Sequence, residues 1–167
     1  MTKFEQLLDI ADKEDIIIKF VDEIPGIFAE ALYISRDGIR MILLDNILKS
    51  NNNRMTEVVA EELGHYFTSM GNNIKPKNYF DKISIDKCEA KALRWACNFL
   101  VPKNELIDEL RKSPSTLDEL ADGLSVSKDI LMQSLYYMSL NNEYLQIDDS
   151  RYLVLTNYPT IYTFDNF

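Results

Sequence analysis

One histidine, two cysteines and five glycines are all that a chain of 167 residues holds of these types, and each scarcity removes a class of explanation. A single imidazole excludes the H-E-x-x-H zinc helix, in which two histidines one turn apart hold the metal. Two cysteines are too few for a four-thiolate metal site or a disulfide scaffold. Cys88 and Cys97 also fall in one helical pattern, where their separation amounts to about 900° of rotation and about 14 Å of rise. They face opposite ways, too far apart to bridge, and are expected as buried, reduced thiols. No apolar run approaches the roughly 20 residues that span a bilayer, and the opening "MTKFEQLLDIADKED" is too charged for a secretory signal. A cytoplasmic protein without a membrane span is expected. Cations are scarce as well: 18 Lys and Arg against 27 Asp and Glu leave a net charge of −9. That is the wrong sign for a protein whose affinity comes from neutralising phosphates, so no direct nucleic-acid partner is expected. There is no internal repeat and no low-complexity tract.

What is present suits one globular domain, or one domain with a small appendage, since 46% of residues are apolar and 27% charged. Residues 2–13 place Phe4, Leu7, Leu8 and Ile10 at helical spacing behind Thr2 and Glu5, a capping-box pair. "DIIIKFV" has the β-branched run of a strand, and "EALYISRDGIRMILLD" reads as two strands around an Asp37-Gly38 turn. The polar run "SNNNR" predicts a loop. Met55, Val58, Val59, Leu63, Tyr66, Phe67 and Met70 then recur at helical spacing up to Gly71, a C-cap candidate. A mixed loop to about residue 83 precedes "SIDKCEAKALRWACNFLVP", a helix opening at Ser84 or Asp86 and stopping at Pro102. Trp95 and Phe99, four apart on it, are expected as packing residues. "KNELIDELRK" and then "STLDELADGLSVSKDILMQSLYYMSL" give further helices, the last two joined at residues 123–127. The tail "EYLQIDDSRYLVLTNY" reads as a hairpin or an irregular extension.

The stretch that carries chemistry is "TEVVAEELGHYFTSMG". Residues four apart on a helix differ by about 40° of rotation, so Glu61 and His65 project from one face, one turn apart, as two metal ligands must. Glu62 sits where the zinc-helix motif places its general base. A solvated acidic edge beside a lone histidine would give the same letters. Two features favour the site. Gly64 costs a helix interior about 1 kcal/mol relative to alanine, which suggests a close backbone approach, and Glu89 offers a third donor from the next helix, as a metal completed from a second element requires.

"VVAEELGHYFTSMG" followed by "CEAKALRWACNFLVPKNEL" resembles the ImmA/IrrE family of metallopeptidases, found in mobile genetic elements, phages and stress-response loci. The shared pattern is A-E-E-L-G-H, then E-x-x-A-x-x-W-A and a Leu-x-Pro stop, here Glu89, Ala92, Trp95, Ala96, Leu100 and Pro102, and the likeness extends over about residues 1–140. The resemblance implies an α+β, minimal zincin-like fold. Its parts would be an N-terminal helix, a small three-stranded antiparallel sheet, an active-site helix and a second ligand-bearing helix, followed by further C-terminal helices. Residues 1–112 would form the metallopeptidase core, with the C-terminal segment 113–167 packed on it.

Position by position, the resemblance assigns metal ligands to Glu61, His65 and Glu89 and the catalytic carboxylate to Glu62. It implies a metallo-endopeptidase that cleaves a helix-turn-helix transcriptional repressor; the alternative is a non-catalytic member of the fold that binds a repressor or other protein without cutting it. Glu61 stands where the family's usual motif has histidine. Zinc accepts carboxylate oxygen, but two carboxylates and one imidazole make a harder set that admits manganese or iron more readily. With one histidine in the chain, none is left to stabilise an oxyanion, and Tyr66 is expected as a packing residue rather than in that role. "LADGLSVSKDIL" has the rhythm of a helix-turn-helix. Its candidate recognition helix offers only Lys128, beside Asp129 and after Asp118, Glu119 and Asp122, so a DNA reader is not expected.

Overall fold

Thr2 opens the first helix, α1 (Lys3–Lys13), with a reciprocal cap. Its hydroxyl accepts from the Glu5 N–H at 3.2 Å, and its own N–H donates to the Glu5 carboxylate at 2.6 Å. Both bonds satisfy donors that a helix start leaves open. The computed structural model that contains this helix describes residues 1–24, 29–68 and 79–165, with the backbone alone described over 79–84. The chain divides into two compact units, Met1–Ala96 and Cys97–Phe167.

In the first unit, α1 buries Leu7 and Ala11. Asp15, at φ 54°, then turns the chain into β1 (Ile16–Val21). β2 (Ala31–Arg36) and β3 (Ile39–Asp45) are joined by Asp37 and Gly38, with φ of 52° and 79°. A two-residue hairpin turn of this kind needs positive φ at both positions, which Asp tolerates and Gly adopts freely. The sheet corrects one expectation: it is mixed, with β3 in the middle, antiparallel to β2 and parallel to β1. The tight Asp37-Gly38 turn sets β2 beside β3, and β1 takes the other side of β3. Side-chain alternation reads the same in parallel and antiparallel pairs, so the letters carried no trace of it.

Ile16, Ala31, Tyr33, Ile42 and Leu44 are the buried residues of this sheet, on the face that meets α1 and the next helix. A 3-10 turn, Asn46–Ser50, leads into that helix, α2 (Asn52–Thr68). The predicted loop over residues 50–54 is therefore shorter than expected. The Asn51 side chain accepts from the Arg54 N–H at 3.0 Å, and asparagine serves turns and helix N-caps equally well. Gly71, the expected C-cap, lies outside the described residues. α3 (Tyr79–Leu100) begins ahead of Ser84. α2 contributes Val59, Ala60 and Leu63, and α3 Ala92 and Ala96, all with no exposure. Trp95 stacks on Phe67 with ring centroids 5.0 Å apart and 22° between planes. Trp95 and Phe99 are half-buried, so the packing residues expected there reach the surface.

The second unit continues through α4 (Lys103–Arg111), α5 (Leu117–Gly123) and α6 (Lys128–Ser139). Thr116 and Ser127 cap the last two, accepting from the N–H groups of Glu119 at 3.1 Å and Ile130 at 3.2 Å. The tail forms a second antiparallel sheet in the order β4 (Tyr144–Gln146), β5 (Arg151–Val154), β6 (Tyr162–Asp165). Leu106, Leu131, Leu135, Leu145, Ile147 and Leu155 are buried in this unit. Neither cysteine is in a disulfide; Cys97 is buried and Cys88 partly exposed. Among the described residues no helix is long and apolar enough to cross a membrane.

The β4–β5 turn is tied by Asp148. Its carboxylate accepts from Arg151 Nε at 2.7 Å and from the backbone N–H groups of Arg151 and Ser150 at 2.9 and 3.1 Å. The Arg151 side chain first, and these N–H groups with it, hold the acid down from 3.8 to about 2. A carboxylate depressed in the folded state stabilises it at any pH above the unfolded value, and that contribution is lost as pH falls through the folded one. Asp148→Asn should therefore have a lower urea midpoint than wild type at neutral pH, and the gap should narrow as pH falls from 3.8 toward 2.

Candidate metal centre

Gly64 sets the distance between the two helices that carry the candidate donors. A Cβ placed on it would lie 2.9 Å from the Ala92 carbonyl carbon and 3.0 Å from its Cα, with the carbonyl oxygen closer still. These are backbone atoms that cannot swing aside. The close approach suggested by a glycine inside a helix is thus the α3 backbone, and it brings the middle of α3 against the last turns of α2.

Glu61, His65 and Glu89 meet there. One donor atom from each lies within 4.8 Å of the others, and His65 Nε2 is 3.3 Å from Glu89 Oε2. Ligand bonds of about 2.0–2.2 Å in a tetrahedral site put neighbouring donors about 3.3–3.6 Å apart, so the His65–Glu89 pair already has the length of one edge. The set fits a small divalent cation with an open coordination position. His65 keeps 19% of its side-chain exposure and Glu89 55%, which leaves the group reachable from solvent.

Glu62 lies deeper. Its Oε2 accepts from the Tyr33 backbone N–H at 2.6 Å, an outward-facing donor on β2, which is an edge strand of its sheet. Burial pushes the acid up to about 7; the Tyr33 N–H opposes that rise, and Glu61 and Glu89 add to it. Glu61 is raised too, first by burial and then by Glu89 and Glu30, against the pull of His65 and Arg54. Arg54 pairs with Glu30 at 2.5 Å and with buried Glu57 at 3.7 Å, and Glu30 holds its guanidinium charged above the usual arginine range.

All four residues singled out from the sequence thus lie at the α2–α3 contact. Tyr66 has other work: its hydroxyl donates to Glu14 at 2.6 Å, and Arg40 lies over its ring at 5.5 Å. Sequence reasoning missed Tyr33, because a backbone N–H has no letter. Arg54 was legible. Two turns before Glu61, it shares the helix face of Glu61 and His65.

A helix with candidate donors at 61 and 65 and a carboxylate between them, together with a third candidate donor from the next helix, is an arrangement of metallopeptidase type. The model of the IrrE N-terminal-like domain, a peptidase family, matches residues 27–136. The chain belongs to that family, and its α+β architecture, with six helices and a small three-stranded sheet among the described residues, is consistent with a zincin-like fold. Comparison with curated proteins and with solved structures finds no significant match.

Two outcomes follow for the purified protein. Zinc titration against a competing chelator should give tighter binding in Glu61→His. Binding should weaken in Glu61→Ala by at least the roughly tenfold that loss of a mere outer-shell partner costs; equal affinities for the three side chains would mean that Glu61 is not a ligand. Gly64→Ala should cost about 1–3 kcal/mol, as overpacking does, and should weaken metal binding as α3 is displaced. Gly123→Ala is the control, since its added Cβ meets only the flexible Glu109 carboxylate.

Proposed function

We propose that the protein is a metal-dependent endopeptidase acting on a helix-turn-helix transcriptional repressor, so that the genes the repressor silences, in a mobile element, prophage or stress response, are released. The observation that carries the peptidase reading is a partly buried carboxylate, Glu62, anchored by a β2 backbone N–H at 2.6 Å beside a three-donor group. In this reading residues 1–112 supply the chemistry and residues 113–167 contact the partner. Glu61, His65 and Glu89 hold the ion, zinc first, with manganese or iron admitted by the two carboxylates.

When bound there, a divalent cation supplies Lewis acidity toward the scissile carbonyl and toward the attacking water. The chain's own part is proton handling and alignment. The Tyr33 N–H fixes Glu62 Oε2, which leaves Oε1 to take the proton of the attacking water and pass it to the leaving amine. A carboxylate raised to about 7 is poised to accept and return a proton near neutral pH. β2, an outer strand of its sheet among the described residues, borders this carboxylate, and an extended substrate segment laid along such a strand suits the reading.

Support for a protein substrate rather than DNA comes from charge. Lys128, the lone cation of the candidate recognition helix, is paired with Asp118 at 2.9 Å, so it offers little to a phosphate. The resemblance to ImmA/IrrE peptidases supports the repressor as substrate. A second reading, a protein that binds the repressor without cutting it, is favoured by Glu61 in place of histidine, since the added negative charge weakens ionisation of water at the site.

Glu62→Gln separates the two. The amide keeps the acceptor for Tyr33 but cannot take a proton, so the variant should keep its fold and metal while repressor cleavage on co-expression falls by at least about 100-fold. Derepression without fragments, undiminished in the variant, would establish the binding reading instead.

A further inference from the structure

Alternation along the strands of the second unit's sheet sorts its side chains into two sets. Leu145 and Leu153 are buried, while Tyr144, Gln146, Tyr152, Val154, Tyr162 and Phe164 share the opposite face. Tyr144, Phe164 and Tyr162 retain 59%, 53% and 48% of their exposure, and the Tyr144 and Tyr152 rings meet edge to face at 5.7 Å. A surface this rich in uncovered aromatics is unusual for a soluble domain and marks contact with another molecule.

The sheet also ends in an open edge. β6 pairs only with β5 among the described residues, and all four of its residues are exposed. The ladder shows which of its groups are free. Ile147 N–H donates to Arg151 C=O, and Leu155 N–H donates to Glu143 C=O, each at 2.8 Å, so the odd-numbered residues of β5 bond to β4. Tyr152 and Val154 therefore bond to Phe164 and Tyr162, their partners in register. Thr163 and Asp165 are left with backbone N–H and C=O groups directed outward, and an edge of that kind is a template for a further strand.

Charge selects the occupant. Residues 97–167 contain five Lys and Arg against eleven Asp and Glu, and none of the described strand residues on the aromatic face is a cation. Arg151, the nearest in sequence, is occupied by Asp148 at 2.7 Å and Ser113 at 2.7 Å. A nucleic acid would find bases to stack but nothing to neutralise its phosphates. A second copy would bring the same excess of negative charge to the same edge.

We propose that the open edge of β6 and the adjoining aromatic face dock an extended, lysine- or arginine-bearing segment of a partner protein, added to the sheet as a fourth strand. The segment's backbone pairs with Thr163 and Asp165. Its cations lie over the rings of Tyr162 and Phe164, where aromatic faces attract them, within the field of the acidic unit. The surface does not depend on the peptidase reading, and a protein inert as an enzyme would keep it.

A short fluorescent peptide of alternating lysine and valine tests this, with a glutamate–valine peptide as control. Polarisation should show saturable binding of the lysine peptide only, weakened by salt and reduced about tenfold or more in a Tyr162→Ser/Phe164→Ser variant that loses two aromatic contacts. Should that variant fold poorly, hydrogen exchange on the wild type gives an independent reading: the lysine peptide should slow exchange of the Thr163 and Asp165 amides. No binding, equal binding of the two peptides, or protection elsewhere would overturn the proposal. So would a wild-type dimer in sedimentation that the double substitution makes monomeric, or a single-stranded oligonucleotide that competes for the face.

Discussion

The contact of Gly64 with the Ala92 backbone is the constraint on which the rest of the first unit depends. Helices usually pack 8–10 Å apart, held off by the side chains between them; here a missing Cβ lets a carbonyl of α3 settle against α2. That approach is what brings Glu89 to 3.3 Å from His65. An alanine at position 64 would keep every donor residue in the sequence and still hold the two helices apart. The leucine and alanine core around it, Leu63, Ala92 and Ala96, is the apolar clamp that keeps the helices closed.

Within that clamp the electrostatics are unbalanced. Glu61, Glu62 and Glu89 surround one imidazole, and both Glu61 and Glu62 are raised by burial and by one another's neighbours. Arg54 supplies the compensating charge, but Glu30 and Glu57 share it. Bringing like charges together at low solvent exposure costs stability unless a cation joins them. A divalent ion among Glu61, His65 and Glu89 would offset that cost, and a carboxylate rather than an imidazole at position 61 would make the offset larger. The same change that weakens activation of water therefore strengthens the electrostatic demand for a metal.

What the sequence disclosed follows from where the physics is local. The Thr2–Glu5 cap, the Asp37-Gly38 turn, the one-turn spacing of Glu61 and His65 and the close approach at Gly64 are written in neighbouring letters, and each stands in the structure. Strand order is not local: β1 pairs with β3 rather than with β2, and no alternation pattern reports it. Asn51 misled in a different way, since an N-cap and a loop use the same side chain. The C-terminal sheet was half visible, as a hairpin, because β6 follows at a distance and its four exposed residues lack the buried alternation that marks a strand. Tyr33 was invisible in principle, for it acts on Glu62 through its backbone.

The central claim is that helix spacing fixed by Gly64 unites donors from two helices around one ion. Crystals of the metal-loaded protein, measured on either side of the zinc absorption edge, test it most directly. The account predicts a single anomalous peak about 2.0–2.2 Å from oxygens of Glu61 and Glu89 and from His65 Nε2, with the Glu62 carboxylate still bonded to the Tyr33 N–H. A peak held by His65 and Glu89 while Glu61 turns to Arg54, or no peak at the α2–α3 contact, would contradict it.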